Sequence, residues 1–271
     1  MITVNQVKPT GYAHAACFDH IADALQGAAA KFPEKDATIY IASHLLEYFS
    51  LTENIKGGSG AAVPRVPQGA IIWNFEQVGP QNTWMTNVYK ESCRNHEVWD
   101  YSTANVAAWK EHFNIDAKLL PLAYDPAMVG CVSECKAKLG PPVFYGSQNP
   151  RRLEVLSAVP GLRAYWATKT GLYGENLDRM LCGAPCILNL HYYMMTSIFE
   201  IARCSYLFAN GVPVMSETST DQDDYSHIPD LFHPLETIVA RANKRDYPDW
   251  SEQRRAYMNA PHLSDHLETL L

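Results

Sequence analysis

Short apolar runs alternate with longer stretches of helical spacing along the whole chain, the pattern of strands and helices that builds a parallel sheet. Residues 1–7 read as a first strand, with a turn at Lys8-Pro9-Thr10-Gly11 behind it. Within 14–32, Ala16, Ile21, Ala24, Leu25 and Ala28 are available for one face of a helix. Strands are expected at 38–42, 69–73, 97–101 and 117–120, and the glycine- and proline-bearing stretch 51–67 reads as a loop. After Asp125 the pattern restarts. Strands are expected at 142–145, 161–167, 186–190 and 213–216, and helices at 151–157, 176–182 and 196–210. Gly211 stands where a left-handed residue closes a helix, with Pro213 just beyond. Two polar helical stretches, 250–258 and 262–271, end the sequence.

This order predicts an α/β protein with two Rossmann-like domains facing a cleft. The expected divisions are a first domain at 1–125, a second at 126–249 and a helical tail at 250–271 returning to the first domain. Composition narrows the class. Of 271 residues, 47% are hydrophobic and 19% charged, which excludes a disordered or fibrous chain. The 22 basic and 29 acidic side chains leave a net charge of −7, so the totals carry no pull toward nucleic acid. No apolar run reaches the roughly 18–20 residues needed to cross a bilayer, and the start lacks a basic region followed by an apolar one. Seven cysteines, an odd number without framework spacing, predict reduced thiols and a cytoplasmic protein.

The segment 188–217 carries the densest chemistry. A strand would deliver Asn189 and His191 to its C-terminal end, and Thr196 and Ser197 would then sit at a helix start, where backbone N–H groups attract an anion. Glu200 lies one turn on, placed to accept hydrogen bonds from hydroxyls of the same ligand. Phosphate donors beside a hydroxyl-binding carboxylate match a nucleoside diphosphate. Ser197 and Glu200 equally fit a plain S-x-x-E capping box. Arg151 and Arg152 follow Gly146 by five and six residues at another helix start, an uncomfortable place for cations unless they meet an anion. A solvated helix start is the alternative.

At these residues the chain resembles the GT-B glycosyltransferases. FEIARCSYLFANGVPVMSE is similar to their glutamate-bearing helix leading into a Gly-x-Pro-Val strand. VFYGSQNPRR resembles the first strand and phosphate loop of their C-terminal domain, and GLYGENLDRMLCGAPCILNLHYY the stretch around the base. VWDYSTANVAAWKEHF and LLPLAYDP resemble the last strand and helix of the N-terminal domain and the connector. The resemblance implies a donor site built from Gly146, Arg151, Arg152, Tyr173, Asn189, His191, Thr196, Ser197 and Glu200, with Tyr173 at the base and Glu200 on the ribose. Retaining family 4 enzymes carry two glutamates separated by seven residues. Glu200 fits the second, while Tyr192 stands at the first.

Sugar transfer to a hydroxyl needs a base, and His14, His20 and Glu76 lie near predicted strand ends in the first half. Each also reads as an ordinary surface or capping residue. The cysteine pairs 131/135 and 182/186 lack the C-x2-C spacing of a metal knuckle, so no metal is expected and buried thiols explain them. No cofactor is expected, since a UDP- or GDP-type sugar would be the donor substrate. The acceptor is open: a glycan, a lipid-linked sugar, a protein or a modified DNA base. A nicotinamide-dependent enzyme is disfavoured because no G-x-G-x-x-G follows the first strand. A catalytically inactive nucleotide-binding protein of the same fold stands as the alternative.

Overall fold

The computed structural model describes residues 1–9, 12–46, 65–80, 82–135, 139–166, 172–193 and 197–271, without the side chains of Ala13, His14 and Trp166. Gly11, Thr196 and most of the loop expected at 51–67 lie outside the described residues. The chain divides into two compact units, Met1–Leu122 with Leu263–Leu271, and Ala123–His262.

The first unit is built on five parallel strands, β1 (Ile2–Gln6), β2 (Ala37–Ile41), β3 (Ile71–Asn74), β4 (Glu97–Asp100) and β5 (Lys118–Leu119), lying side by side in chain order. β1 and β2 pair over their full lengths, from Ile2 opposite Ala37 to Gln6 opposite Ile41. The described helices are α1 (Asp19–Ala29), α2 (Asn87–Arg94) and α3 (Thr103–Phe113), with α9 (Leu263–Leu270) joining from the C-terminus. α1 buries Ile21, Ala24, Leu25, Ala28 and Ala29, one face at i, i+3, i+4, i+7 and i+8 spacing. The single helix expected over 14–32 is instead a 3₁₀ turn at Ala13–Phe18 followed by α1. α9 packs on α1, and Lys31 and Lys35 donate to Ser264 Oγ at 2.8 Å and the Leu271 carbonyl at 2.9 Å.

The second unit carries β6 (Val143–Gly146), β7 (Arg163–Trp166), β8 (Ile187–Asn189), β9 (Val214–Glu217) and β10 (Phe232–His233), all parallel, in the spatial order β10-β9-β8-β6-β7. Its described helices are α4 (Pro150–Ser157), α5 (Glu175–Cys182), α6 (Ile201–Ala209), α7 (Leu235–Lys244) and α8 (Trp250–Asn259). Buried Phe144, Leu188, Met215 and Ile238 form one core beneath the sheet. Gly211 has φ +66, and a Cβ there would come within 2.9 Å of the Trp250 ring, so glycine both closes α6 and admits α8. Buried Gln253 of α8 exchanges two hydrogen bonds with the Val214 backbone, at 2.9 and 3.0 Å. The segment expected as one returning tail therefore divides, α8 packing on α6 in the second unit and α9 on α1 in the first.

Two further expectations are corrected. α6 begins at Ile201, not at residue 196, and the Ser197–Glu200 capping box does not form. Phe199 is fully buried against Tyr225 and Phe232, with ring centroids 4.8 and 5.1 Å away, and its N–H donates to Asp221 Oδ1 at 2.9 Å. The Ser197 carbonyl meanwhile accepts from Thr220 N at 2.8 Å. Burying an aromatic ring outweighs one extra helical turn. The cysteines are not all reduced either: Cys135 and Cys182 form a disulfide, with Cα atoms 5.5 Å apart, and Cys131 is exposed rather than buried.

Candidate functional site

In a parallel sheet the loops after the strands gather at the C-terminal edge, and a crevice opens where the strand order reverses. The second sheet reverses between β6 and β8, because the chain leaves β6 for β7 on one side and resumes at β8 on the other. Three arginines and two glutamates meet the residues that follow β6, β8 and β9.

Arg152, on the first turn of α4, is 1% exposed. Its Nε donates to the Leu190 carbonyl at 3.0 Å, Nη1 to the Ser147 carbonyl at 3.0 Å, and Nη2 to Leu190 and to Glu200 Oε1, the latter at 2.8 Å. It thus ties the loop after β6 to the loop after β8. The other Glu200 oxygen accepts from Arg203 Nη2. Arg203 Nη1 reaches Asn189 Oδ1 at 3.3 Å, and its guanidinium lies 5.3 Å from the Tyr145 ring centroid. Arg151 forms a two-pronged pair with Glu217 at the end of β9 and donates to the His191 carbonyl at 3.2 Å. Burial alone would raise the Glu200 carboxyl, but Arg203, Arg152 and His191 outweigh it and hold the pKa below its ordinary value. Burial lowers the Arg152 guanidinium, while the hydrogen bonds that Arg151 donates to Glu217 raise its own. Among the described residues of the cluster three guanidiniums face two carboxylates, which leaves one positive charge in excess.

The backbone leaves room for these groups. Gly146 ends β6 with φ +151, and a Cβ there would lie 3.4 Å from Arg203 Nη2 and 3.5 Å from Arg152 Nη1. Asn149 caps α4, accepting from Arg152 N at 2.7 Å, and its Nδ2 donates to the Tyr192 carbonyl at 2.9 Å. The exposed Tyr192 ring covers Arg152, with 5.2 Å between guanidinium and ring centroid. His191 is buried; its Nε2 meets the Thr218 carbonyl at 3.0 Å, and its Nδ1 has no partner among the described residues.

Of the donor-site residues expected from the sequence, Gly146, Arg151, Arg152, Asn189, His191 and Glu200 come together here. Ser197 lies three residues before Glu200, its carbonyl held by Thr220. Tyr173 is half-buried just before α5, and Thr196 lies outside the described residues. Arg203 and Glu217 were missed. Arg203 had a signal, the i, i+3 spacing to Glu200 that favours an ion pair; Glu217, at a strand end, had none.

In the first unit Glu76 pairs with buried His44, Oε1 to Nε2 at 3.2 Å, just after β3 and β2. His44 packs edge-on against Trp84, Phe18 and Tyr89. Its place after a predicted strand was the available signal. His20 is half-buried on the first turn of α1, and the side chain of His14 lies outside the described residues. The Glu76 backbone is fixed by Asn74 and Asn105, both of which donate to the buried carboxyl of Asp100, at 2.7 and 2.9 Å. Trp109 Nε1 donates to the same carboxyl at 2.8 Å. Burial pushes Asp100 up to about 7, against the pull of those hydrogen bonds. Among the described residues, no three His, Cys, Asp or Glu side chains are grouped to hold a metal ion, and no helix is long and apolar enough to cross a membrane.

The same architecture occurs in solved structures. The chain superposes on AviGT4, a glycosyltransferase involved in avilamycin A biosynthesis, with a TM-score of 0.58 over 99% of this chain and 95% of that one at 12% identity. It superposes on WaaG, a glycosyltransferase involved in lipopolysaccharide biosynthesis, with a TM-score of 0.53 over 100% and 98% at 11% identity. The fold is that of the GT-B glycosyltransferases. HepE of Anabaena, solved with UDP and glucose, matches with a TM-score of 0.50 over 99% and 94% at 10% identity. At such identities the likeness speaks to the GT-B fold alone. No protein-family model matches the chain. The uncharacterized protein R358 of Acanthamoeba polyphaga mimivirus is 26% identical over 161 residues, 58% of this chain and 54% of that protein. The chain thus matches about half the length of that relative. In this GT-B chain the arginine–glutamate cluster stands at the strand reversal of the second sheet.

Proposed function

We propose that the chain transfers a sugar from a nucleoside-diphosphate sugar to an acceptor hydroxyl. The observation that carries this reading is the net-positive cluster of Arg151, Arg152 and Arg203 with Glu200 and Glu217, placed where the sheet order reverses in a GT-B fold. Breaking a sugar–phosphate bond leaves negative charge on the diphosphate. Guanidiniums already fixed by carboxylates and carbonyls can stabilise that charge with little rearrangement. HepE of Anabaena, which shares the fold, binds UDP and glucose and so supports a uridine-type donor. GDP-type donors fit the same chemistry. The acceptor classes are those open from the sequence: a glycan, a lipid-linked sugar, a protein or a modified DNA base.

A second reading has its own observation. Tyr192 stands where the resembling enzymes carry a carboxylate, and its ring covers Arg152, so nucleotide binding without transfer is chemically self-consistent. One experiment separates the two. Thermal shift with UDP, GDP and TDP measures binding, since a ligand at 100 times its dissociation constant adds about 2.7 kcal/mol. UDP or GDP release from UDP-glucose, UDP-galactose and GDP-mannose, with simple glycosides as acceptors, measures transfer. Binding with release supports the transferase, binding without release supports the second reading, and no binding of any nucleoside diphosphate overturns both.

A further inference from the structure

We propose that Arg203 is the guanidinium that meets the donor diphosphate, and that Glu200 serves as its clamp instead of binding the ribose. The inference rests on the nucleotide-sugar reading above and deepens it. The carboxylate decides the second half. Glu200 Oε1 accepts from Arg152 at 2.8 Å and Oε2 from Arg203, so each oxygen already holds a guanidinium. A ribose diol would have to share each oxygen with a charged donor, which makes the stronger hydrogen bond and already sets the direction of the carboxylate.

The two arginines differ in what they have left to offer. Arg152 is 1% exposed, and its bonds to Leu190, Ser147 and Glu200 engage four of its five N–H groups. It is a strut between two loops. Arg203 has a side chain 16% exposed, and among the described residues its bonds to Glu200 and Asn189 engage two of its five N–H groups. Tyr145 fixes the plane of its guanidinium from one face, and Gly146 leaves the neighbouring backbone bare where a Cβ would stand 3.4 Å from Nη2. The same place holds a second unsatisfied group. His191 contributes to the electrostatics of Glu200, and its Nδ1 is buried without a partner among the described residues. A polar ligand atom would complete it. An arginine pinned at Nη1 and Nη2 by Asn189 and Glu200 presents its remaining N–H groups in a fixed fork, the geometry that suits paired phosphate oxygens.

Calorimetry with inorganic pyrophosphate, uridine and UDP tests both halves. Arg203→Gln is expected to weaken pyrophosphate and UDP together by tenfold or more, the loss of a charged hydrogen bond, and to leave uridine unchanged. The double variant Arg203→Gln/Glu200→Gln is expected to stay weak. Recovery of pyrophosphate affinity in the double variant would mean that Arg203 only balances Glu200, and would overturn the contact. Glu200→Gln is expected to leave uridine affinity unchanged, and a fall there would return the ribose to Glu200. Should Arg203→Gln fail to fold, Arg203→Lys keeps the charge and loses the fork. It is expected to weaken pyrophosphate and UDP threefold or more, with unchanged affinity overturning the proposal. Failure of the underlying reading looks different, because the wild-type chain would then bind no nucleoside diphosphate at all.

Discussion

Each unit sets a carboxylate among the polar groups at the C-terminal end of its sheet, fully buried in the first and half-buried in the second, and the two resolve the cost of desolvation in opposite ways. In the first, Asp100 is surrounded by amide, indole and backbone N–H donors, with no cation in hydrogen-bonding contact among the described residues. In the second, Glu200 lies between two guanidiniums. Desolvation raises a carboxyl's pKa, and neutral donors only soften the rise, so Asp100 reaches about 7 while Glu200 stays ionised. The sheets differ as well. Among the described residues the first runs in chain order without a reversal, and Asn74, Asp100 and Asn105 tie β3, β4 and α3 to one another. The second reverses, and its cluster keeps a positive charge there. The first arrangement joins elements of the sheet to one another, and the second has the charge that the proposed diphosphate contact needs.

The largest expected effect comes from removing the strut. Arg152→Met keeps much of the apolar stem but takes one of the two guanidiniums from Glu200 and the donors from the Leu190 and Ser147 carbonyls. The lost ion pair and the two acceptors left without this donor together cost about 3–5 kcal/mol. Urea unfolding would show the loss, and a change under 1 kcal/mol would mean that Arg152 is not what joins the two loops.

The first unit is expected to respond to pH instead. Asp100 titrates near 7 when folded and near 3.8 when unfolded, so the folded chain holds the proton across that window. Stability contributed by this group therefore falls as pH rises from about 4 to about 7, by up to about 4 kcal/mol. Unfolding midpoints at pH 5 and pH 8 measure the slope. Asp100→Asn removes the titrating group and should flatten it; an unchanged slope would place the titration elsewhere.

The contrast between units also marks what the sequence could reveal. Strands such as 38–42 and 69–73 were legible because β-branched and aromatic runs between turn residues have few alternatives. The helix at Leu235–Lys244 was overlooked although Leu235, Ile238, Val239 and Ala242 repeat at helical spacing. Donor-side candidates Gly146, Arg151, Arg152, Asn189, His191 and Glu200 were readable from a contiguous pattern, and they converge. Glu217 and His44 gain their partners only through strand pairing and packing across the chain, which spacing does not encode. The start of α6 was misread for a related reason, since the burial of Phe199 is decided by Tyr225 and Phe232, more than twenty residues downstream.

Two glycines give a smaller, matched test. Gly146 in the second unit has φ +151 and contacts waiting at 3.3–3.5 Å, whereas Gly69 in the first has φ +83 and no atom of the described residues within 4 Å. Gly69→Ala meets only backbone strain, about 1 kcal/mol. Gly146→Ala adds the displacement of Phe144, Arg152 and Arg203, for about 2–3 kcal/mol together, and should weaken UDP binding. Equal losses in melting experiments would show that the arginines do not crowd that backbone.

The smallest effect expected is at Asn149, which does two things at once. Its Oδ1 caps α4 at Arg152 N, and its Nδ2 holds the Tyr192 carbonyl in the loop after β8. Asn149→Ala removes both and should cost about 1 kcal/mol, the usual worth of a cap. Asn149→Asp separates them, because a carboxylate still accepts from the helix N–H and suits the positive end of α4. It can no longer donate to Tyr192. If the cap alone matters, the Asp variant melts like the wild type and binds nucleotide as well. If the tie to the β8 loop matters, stability returns but UDP affinity does not, since Tyr192 and His191 lose their anchor beside Arg152. The Ala and Asp variants compared in both assays thus divide helix capping from the positioning of the anion site. Loss of stability in the Asp variant equal to that in the Ala variant would contradict the capping role itself.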